Sequence, residues 1–160
     1  MKRMTMILVT AFLMTMCSNL RTGSNSTDKP KKQPDVQYRD DFKSASDTEL
    51  KALLKNLKAE AANYSVLILT QNYKGEKIII SNSKRELYSD YPISNLKTGI
   101  AQKLRIDNTL DTKVYDNFTK SETVIEAEEA KKHKYIYVMK NPGNKNPFTI
   151  TYSNTLRPLE

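Results

Sequence analysis

Histidine and cysteine, the residues most used in nucleophilic and metal chemistry, each occur once in this chain and lie far apart. His133 is the only histidine and Cys17 the only cysteine among 160 residues. A tetrahedral metal site needs further His or Cys ligands. No Ser/His/Asp or Cys/His arrangement assembles around His133, and without an orienting partner it reads as a surface residue. Two of the eighteen acids would suffice for a carboxylate-pair hydrolase, yet no spacing singles out a pair. Gly23, Gly75, Gly99 and Gly143 are too dispersed to build a phosphate-cradling loop, which argues against a nucleotide-dependent enzyme. No catalytic residue, cofactor or metal ligand is assigned.

What remains is charge, and one thiol in a telling place. The chain carries 26 Lys+Arg against 18 Asp+Glu, a net charge of +8. Such an excess favours polyanionic partners and says nothing about fold. Two basic groups are candidate anion-binding sites: Lys97, Lys103 and Arg105, and Lys131, Lys132 and Lys134. The competing reading is a solvated face in a lysine-rich composition. No nucleic-acid motif is present, so nucleic acid is not an expected partner.

Cys17 closes a distinctive start. Lys2 and Arg3 precede an uncharged run from Met6 to Met16, after which the chain turns abruptly polar. A membrane-spanning helix needs about 20 apolar residues. The run is too short to span, and it matches the hydrophobic region of a signal peptide. A lone cysteine makes no internal disulfide. Leu13-Met14-Thr15-Met16-Cys17 resembles a bacterial lipoprotein box, with Met16 where a small residue is usual. The resemblance implies cleavage after residue 16 and acylation of Cys17, which becomes the attachment to the bilayer. One acyl chain binds a membrane only reversibly, whereas a triacylated cysteine holds firmly.

The elements behind this start are read in order. Residues 17–45 are rich in Ser, Asn, Lys and Pro and are expected to form a flexible tether. Ser46 and Glu49 form a capping box, and Leu50, Leu53, Leu54, Leu57 and Ala61 form one apolar stripe, predicting a helix from Asp47 to about Asn63. Ser65–Thr70 and Lys77–Ser81 are continuous apolar runs joined through Asn72 and Gly75, predicting a hairpin buried on both faces. Leu96, Ile100 and Leu104 at i, i+4 and i+8 predict a second helix from Asn95 to about Arg105. Thr112–Phe118 suits a strand. Thr119 and Glu122 read as another capping box, heading a helix from Val124 to about Lys132. Tyr135–Met139 and Phe148–Tyr152 flank Asn141-Pro142-Gly143 and predict a closing hairpin. In the last strand Phe148, Ile150 and Tyr152 alternate with Thr149 and Thr151, as in a half-exposed strand. The sum is a small α+β domain over 46–160, with a largely antiparallel sheet and two or three helices.

The signal, the Ser/Asn/Lys tether and the lysine-rich, tryptophan-free domain are together similar to the plasmid-encoded outer-surface lipoproteins of Borrelia spirochaetes. The likeness rests on Met1 to about Pro34 and on composition, so no binding residue carries over. It implies an outer-membrane, surface-exposed protein acting as a non-enzymatic binding module for a host or vector protein or a sulfated glycan. The alternatives are a structural or assembly lipoprotein on the periplasmic leaflet, or a hydrolase with an unidentified carboxylate site.

Overall fold

A computed structural model describes residues 34–159. The signal, Cys17 and most of the expected tether lie outside the described residues. The chain runs β1 (Asp35–Tyr38), α1 (Asp47–Asn56), β2 (Tyr64–Leu69), β3 (Ile78–Asn82), β4 (Glu86–Asp90), β5 (Gln102–Asp107), β6 (Thr112–Asp116), β7 (Ser121–Ile125), α2 (Ala127–Ala130), β8 (Tyr135–Lys140) and β9 (Phe148–Ser153). Two sheets result, in the orders β1-β9-β8-β2-β5 and β4-β3-β6-β7. Among the described strands only β1/β9 and β2/β8 pair in parallel. Strands dominate, and the two helices are short.

The sheets face each other across the main core. Leu67, Leu69, Ile136, Val138 and Ile150 from the five-stranded sheet meet Ile78, Ile80, Val114 and Ile125 from the other. The opposite face of the five-stranded sheet carries Val66, Ile68, Tyr135 and Tyr137, packed under Leu53 of α1 and Leu156 of the C-terminal segment. β2 is thus covered on both sides, which is why its apolar run is continuous. Each such side chain contributes about 1.5–3 kcal/mol by leaving water.

Several local expectations give way to tertiary pairing. β2 and β3 form no hairpin; they belong to different sheets. The capping box at Ser46 is present, but α1 ends at Asn56, because Lys58 takes a φ of +51° and turns Ala59 into the core. The helix expected over 95–105 is a turn followed by β5. Asn95 Oδ1 accepts the Lys97 and Thr98 amides, and Gly99 sits at φ +69°, so the turn cannot propagate. Leu96 is fully exposed, while Leu104 and Ile106 face the core two residues apart, as strand spacing requires. The helix expected from Val124 shrinks to Ala127–Ala130. Asp116, not a Thr119 cap, takes the amides of Phe118 and Thr119, and β-branched Thr123, Val124 and Ile125 extend as β7.

The closing hairpin forms as expected, in register Tyr137↔Thr151. Its last strand, however, is interior. β1, within the stretch expected as tether, adds on its far side, and Thr149 and Thr151 are each only 6% exposed.

Candidate functional site

The uncovered part of the five-stranded sheet's outer face is a pocket. α1 and Leu156 shield the end bearing Val66, Ile68 and Tyr135. Beyond them the sheet presents Gln37 of β1, Thr149 and Thr151 of β9, and Met139 of β8, with Gln71, Thr98 and Gly99 as one wall and Arg39, Arg157 and Pro158 as another. The cavity holds about 220 Å³. Strand parity explains the floor: Gln37, Thr151 and Tyr137 lie side by side in register, so their side chains share a face.

Two guanidiniums and no carboxylate line this cavity. Arg157 lies 3.8 Å over the Phe42 ring and 4.3 Å over Tyr137. Its Nε is buried with no hydrogen-bond partner among the described residues. Its backbone N–H donates to Tyr137 Oη at 2.9 Å, and that hydroxyl donates to Thr155 O at 3.0 Å. Burial pushes the Tyr137 phenol up to about 12, against the pull of the Arg157 amide and charge, so it stays neutral. Burial also pulls the Arg157 guanidinium down from its ordinary value, yet arginine stays protonated in proteins. Arg39 is bound bidentately by Asp41 at 2.8 and 2.9 Å. Arg157 is therefore the cation with donors to offer. Amide and hydroxyl groups of Gln37, Gln71 and Thr151 surround the space below it.

The six cations expected to bind anions do not converge there. Lys134 is structural: its Nζ donates to Ala59 O (2.6 Å), Tyr64 O (2.9 Å) and Ala61 O (3.1 Å), closing the turn after α1. Arg105 lies 4.3 Å over the Tyr64 ring and donates to Lys58 O at 2.8 Å. Lys131 and Lys132 pair with Glu128 and Glu129 at 3.2 and 2.8 Å. Lys97 lies exposed on the turn before β5, and Lys103 lies on β5 beside Ile68. His133, expected on the surface, is half-buried between the rings of Tyr152 (5.2 Å) and Tyr38 (5.6 Å), with Nδ1 2.9 Å from Glu129 O.

A second polar cluster is buried between the sheets. Lys140, at the end of β8, is 7% exposed. Its Nζ meets Glu76 Oε1 and, at 2.6 Å, Asp116 Oδ2. Asp116 is wholly buried; Oδ1 accepts the amides of Phe118 (2.9 Å) and Thr119 (3.2 Å). Burial alone would raise both carboxyls; Lys140 outweighs it in each, helped by Thr119 at Asp116 and by the Glu76 and Lys74 amides at Glu76, and holds both below the ordinary range. The two carboxylates meet at a lysine under the core, not in a cleft open to substrate. Among the described residues no group of three His, Cys, Asp or Glu is spaced to hold a metal ion, and no helix is long and apolar enough to cross a membrane.

Both sites were missed in the sequence. A faint signal existed for one: Ile136, Val138 and Lys140 alternate on the core-facing side of an apolar strand, which places the lysine inside. Arg39 and Arg157 stand over a hundred residues apart and meet only because β1 joins β9. No family model matches the chain, and no curated protein matches it in sequence.

Proposed function

We propose that this chain is a lipid-anchored, non-catalytic binding module. Acylated Cys17 holds it on the outer membrane, facing the host or vector, and the pocket under Arg157 takes a small hydroxyl-bearing anion such as an acidic or sulfated sugar unit. One observation carries the choice of site: a sheltered cavity with guanidinium, amide and hydroxyl groups on its walls and no carboxylate among them. A guanidinium with no carboxylate paired to it among the described residues favours an anionic acceptor. The exposed lysines supply only diffuse attraction that salt removes.

The test is a titration of the purified protein with a sulfated disaccharide, followed by amide chemical shifts. Shifts at Gln37, Thr151 and Gly99, lost in Arg157→Gln, support the site. Shifts confined to Lys97 and Lys103 refute it. Palmitate labelling that disappears in Cys17→Ala supports the anchor, and labelling that persists refutes it. Protease treatment of intact cells decides the leaflet: a fully protected protein faces the periplasm.

A further inference from the structure

The buried cluster of Lys140, Asp116 and Glu76 has the parts of an amide-forming site. An amine lies 2.6 Å from one oxygen of a wholly buried carboxyl, with the carbon to be attacked one bond further. The other oxygen of that carboxyl already accepts two backbone N–H groups, from Phe118 and Thr119. These are the donors an oxyanion needs as the carbon becomes tetrahedral. Oδ2 has the ion-pair contact to Nζ and no hydrogen-bond partner among the described residues, so it is the oxygen free to leave. A second carboxylate, Glu76, touches the same Nζ. The Tyr73 ring, 1% exposed, lies 5.8 Å from the ammonium and helps to exclude water, the reactant of the reverse step.

We propose that Lys140 and Asp116 condense to an intramolecular isopeptide bond, with Glu76 as the proton relay. The ammonium passes one proton to Asp116 Oδ2. Its freed electron pair attacks Cγ, the C–N bond forms, and the carbonyl electrons move to Oδ1, held by the two amides. Glu76 takes a proton from the new C–N centre. The carbonyl re-forms, the C–Oδ2 bond breaks, and Glu76 returns the proton so that Oδ2 departs as water. Three protons enter on the ammonium; one stays on the amide and two leave with the water. Nothing is oxidised or reduced. The ionic pair is the resting state and the neutral pair reacts, so the bond forms slowly after folding. It would join β8 of one sheet to β6 of the other, in a domain whose described residues contain no cysteine.

The experiment is tryptic peptide mapping of the purified full-length protein, freshly made and after prolonged incubation in the folded state. An acylated lysine is not cut by trypsin. The expected product is Tyr135–Lys145 joined to Val114–Lys120, lighter than the two together by one water. Fragmentation should place the link at Lys140 and Asp116. Complete cleavage after Lys140, with both linear peptides unmodified in the incubated protein, overturns the proposal. So does loss of water mapped to any other pair. Glu76→Gln, checked by circular dichroism to be folded, should slow the joining at least tenfold. Joining at the wild-type rate would remove Glu76 from the chemistry.

Discussion

Replacing Lys134 by methionine separates a structural cation from a ligand-binding one. Its ammonium donates to the carbonyls of Ala59, Tyr64 and Ala61 at 2.6, 2.9 and 3.1 Å. These carbonyls belong to the turn that leaves α1 and enters β2, a turn bearing Lys58 at φ +51°. Methionine keeps most of the apolar stem and removes only the donors. A hydrogen bond to a charged group contributes about 1.5–3 kcal/mol when buried. Lys134 is only half-buried and water replaces part of the loss, so the three bonds together should cost about 2–3 kcal/mol rather than their sum. Urea unfolding reads this directly. With a slope of about 1–3 kcal/mol/M, the midpoint should fall by roughly 0.7–3 M without a change in slope. Lys97→Met and Lys131→Met, at exposed positions, should stay within about 0.5 kcal/mol of wild type. An unchanged midpoint in Lys134→Met, together with weakened anion binding, would refute the structural role and restore Lys134 to the ligand site.

Leu67→Ala removes a wholly buried side chain at the centre of the inter-sheet core. It should lower stability by about 2–5 kcal/mol, and a loss under about 1 kcal/mol in the same urea assay would mean the two sheets do not pack as described. Acid should destabilise the fold through Asp40 and Glu49. The amide of Asn154 and the hydroxyl of Ser153 hold Asp40 below its ordinary value, and the amide and hydroxyl of Ser46 do the same for Glu49. A depressed carboxyl contributes stability that is complete above its unfolded value, about 4, and is lost as pH falls through the folded value. The urea midpoint should therefore drop below about pH 4, and a flat profile from neutrality to about pH 3 would contradict these contacts.

The elements most legible in the sequence were those whose signal is local. The Ser46/Glu49 box does cap α1, and Asn141-Pro142-Gly143 does turn β8 into β9, with Gly143 at φ +82°. Misreadings came where two periods fit one segment. Leu96, Ile100 and Leu104 fit a helix, while Leu104 and Ile106 fit a strand. Gly99 and the Asn95 turn decided for the strand, and pairing of β5 with β2 secured it. Thr119 and Glu122 matched a cap that the side chain of Asp116 pre-empted.

By itself the sequence determined a basic chain, an uncharged run ending beside the lone Cys17 and a set of strand-forming apolar runs, because charge, apolar length and turn residues are properties of neighbours along the chain. Tertiary structure decided which runs share a sheet. It parted β2 from β3, drew β1 out of the expected tether, and made the threonines of β9 interior. It also made both polar sites. Arg157 reaches Arg39 and Gln37 through the parallel β1/β9 pair, and Lys140 reaches Asp116 and Glu76 across two facing sheets. Contacts between residues so distant in sequence leave no periodicity to read; only the packing of one sheet on the other brings them within bonding distance.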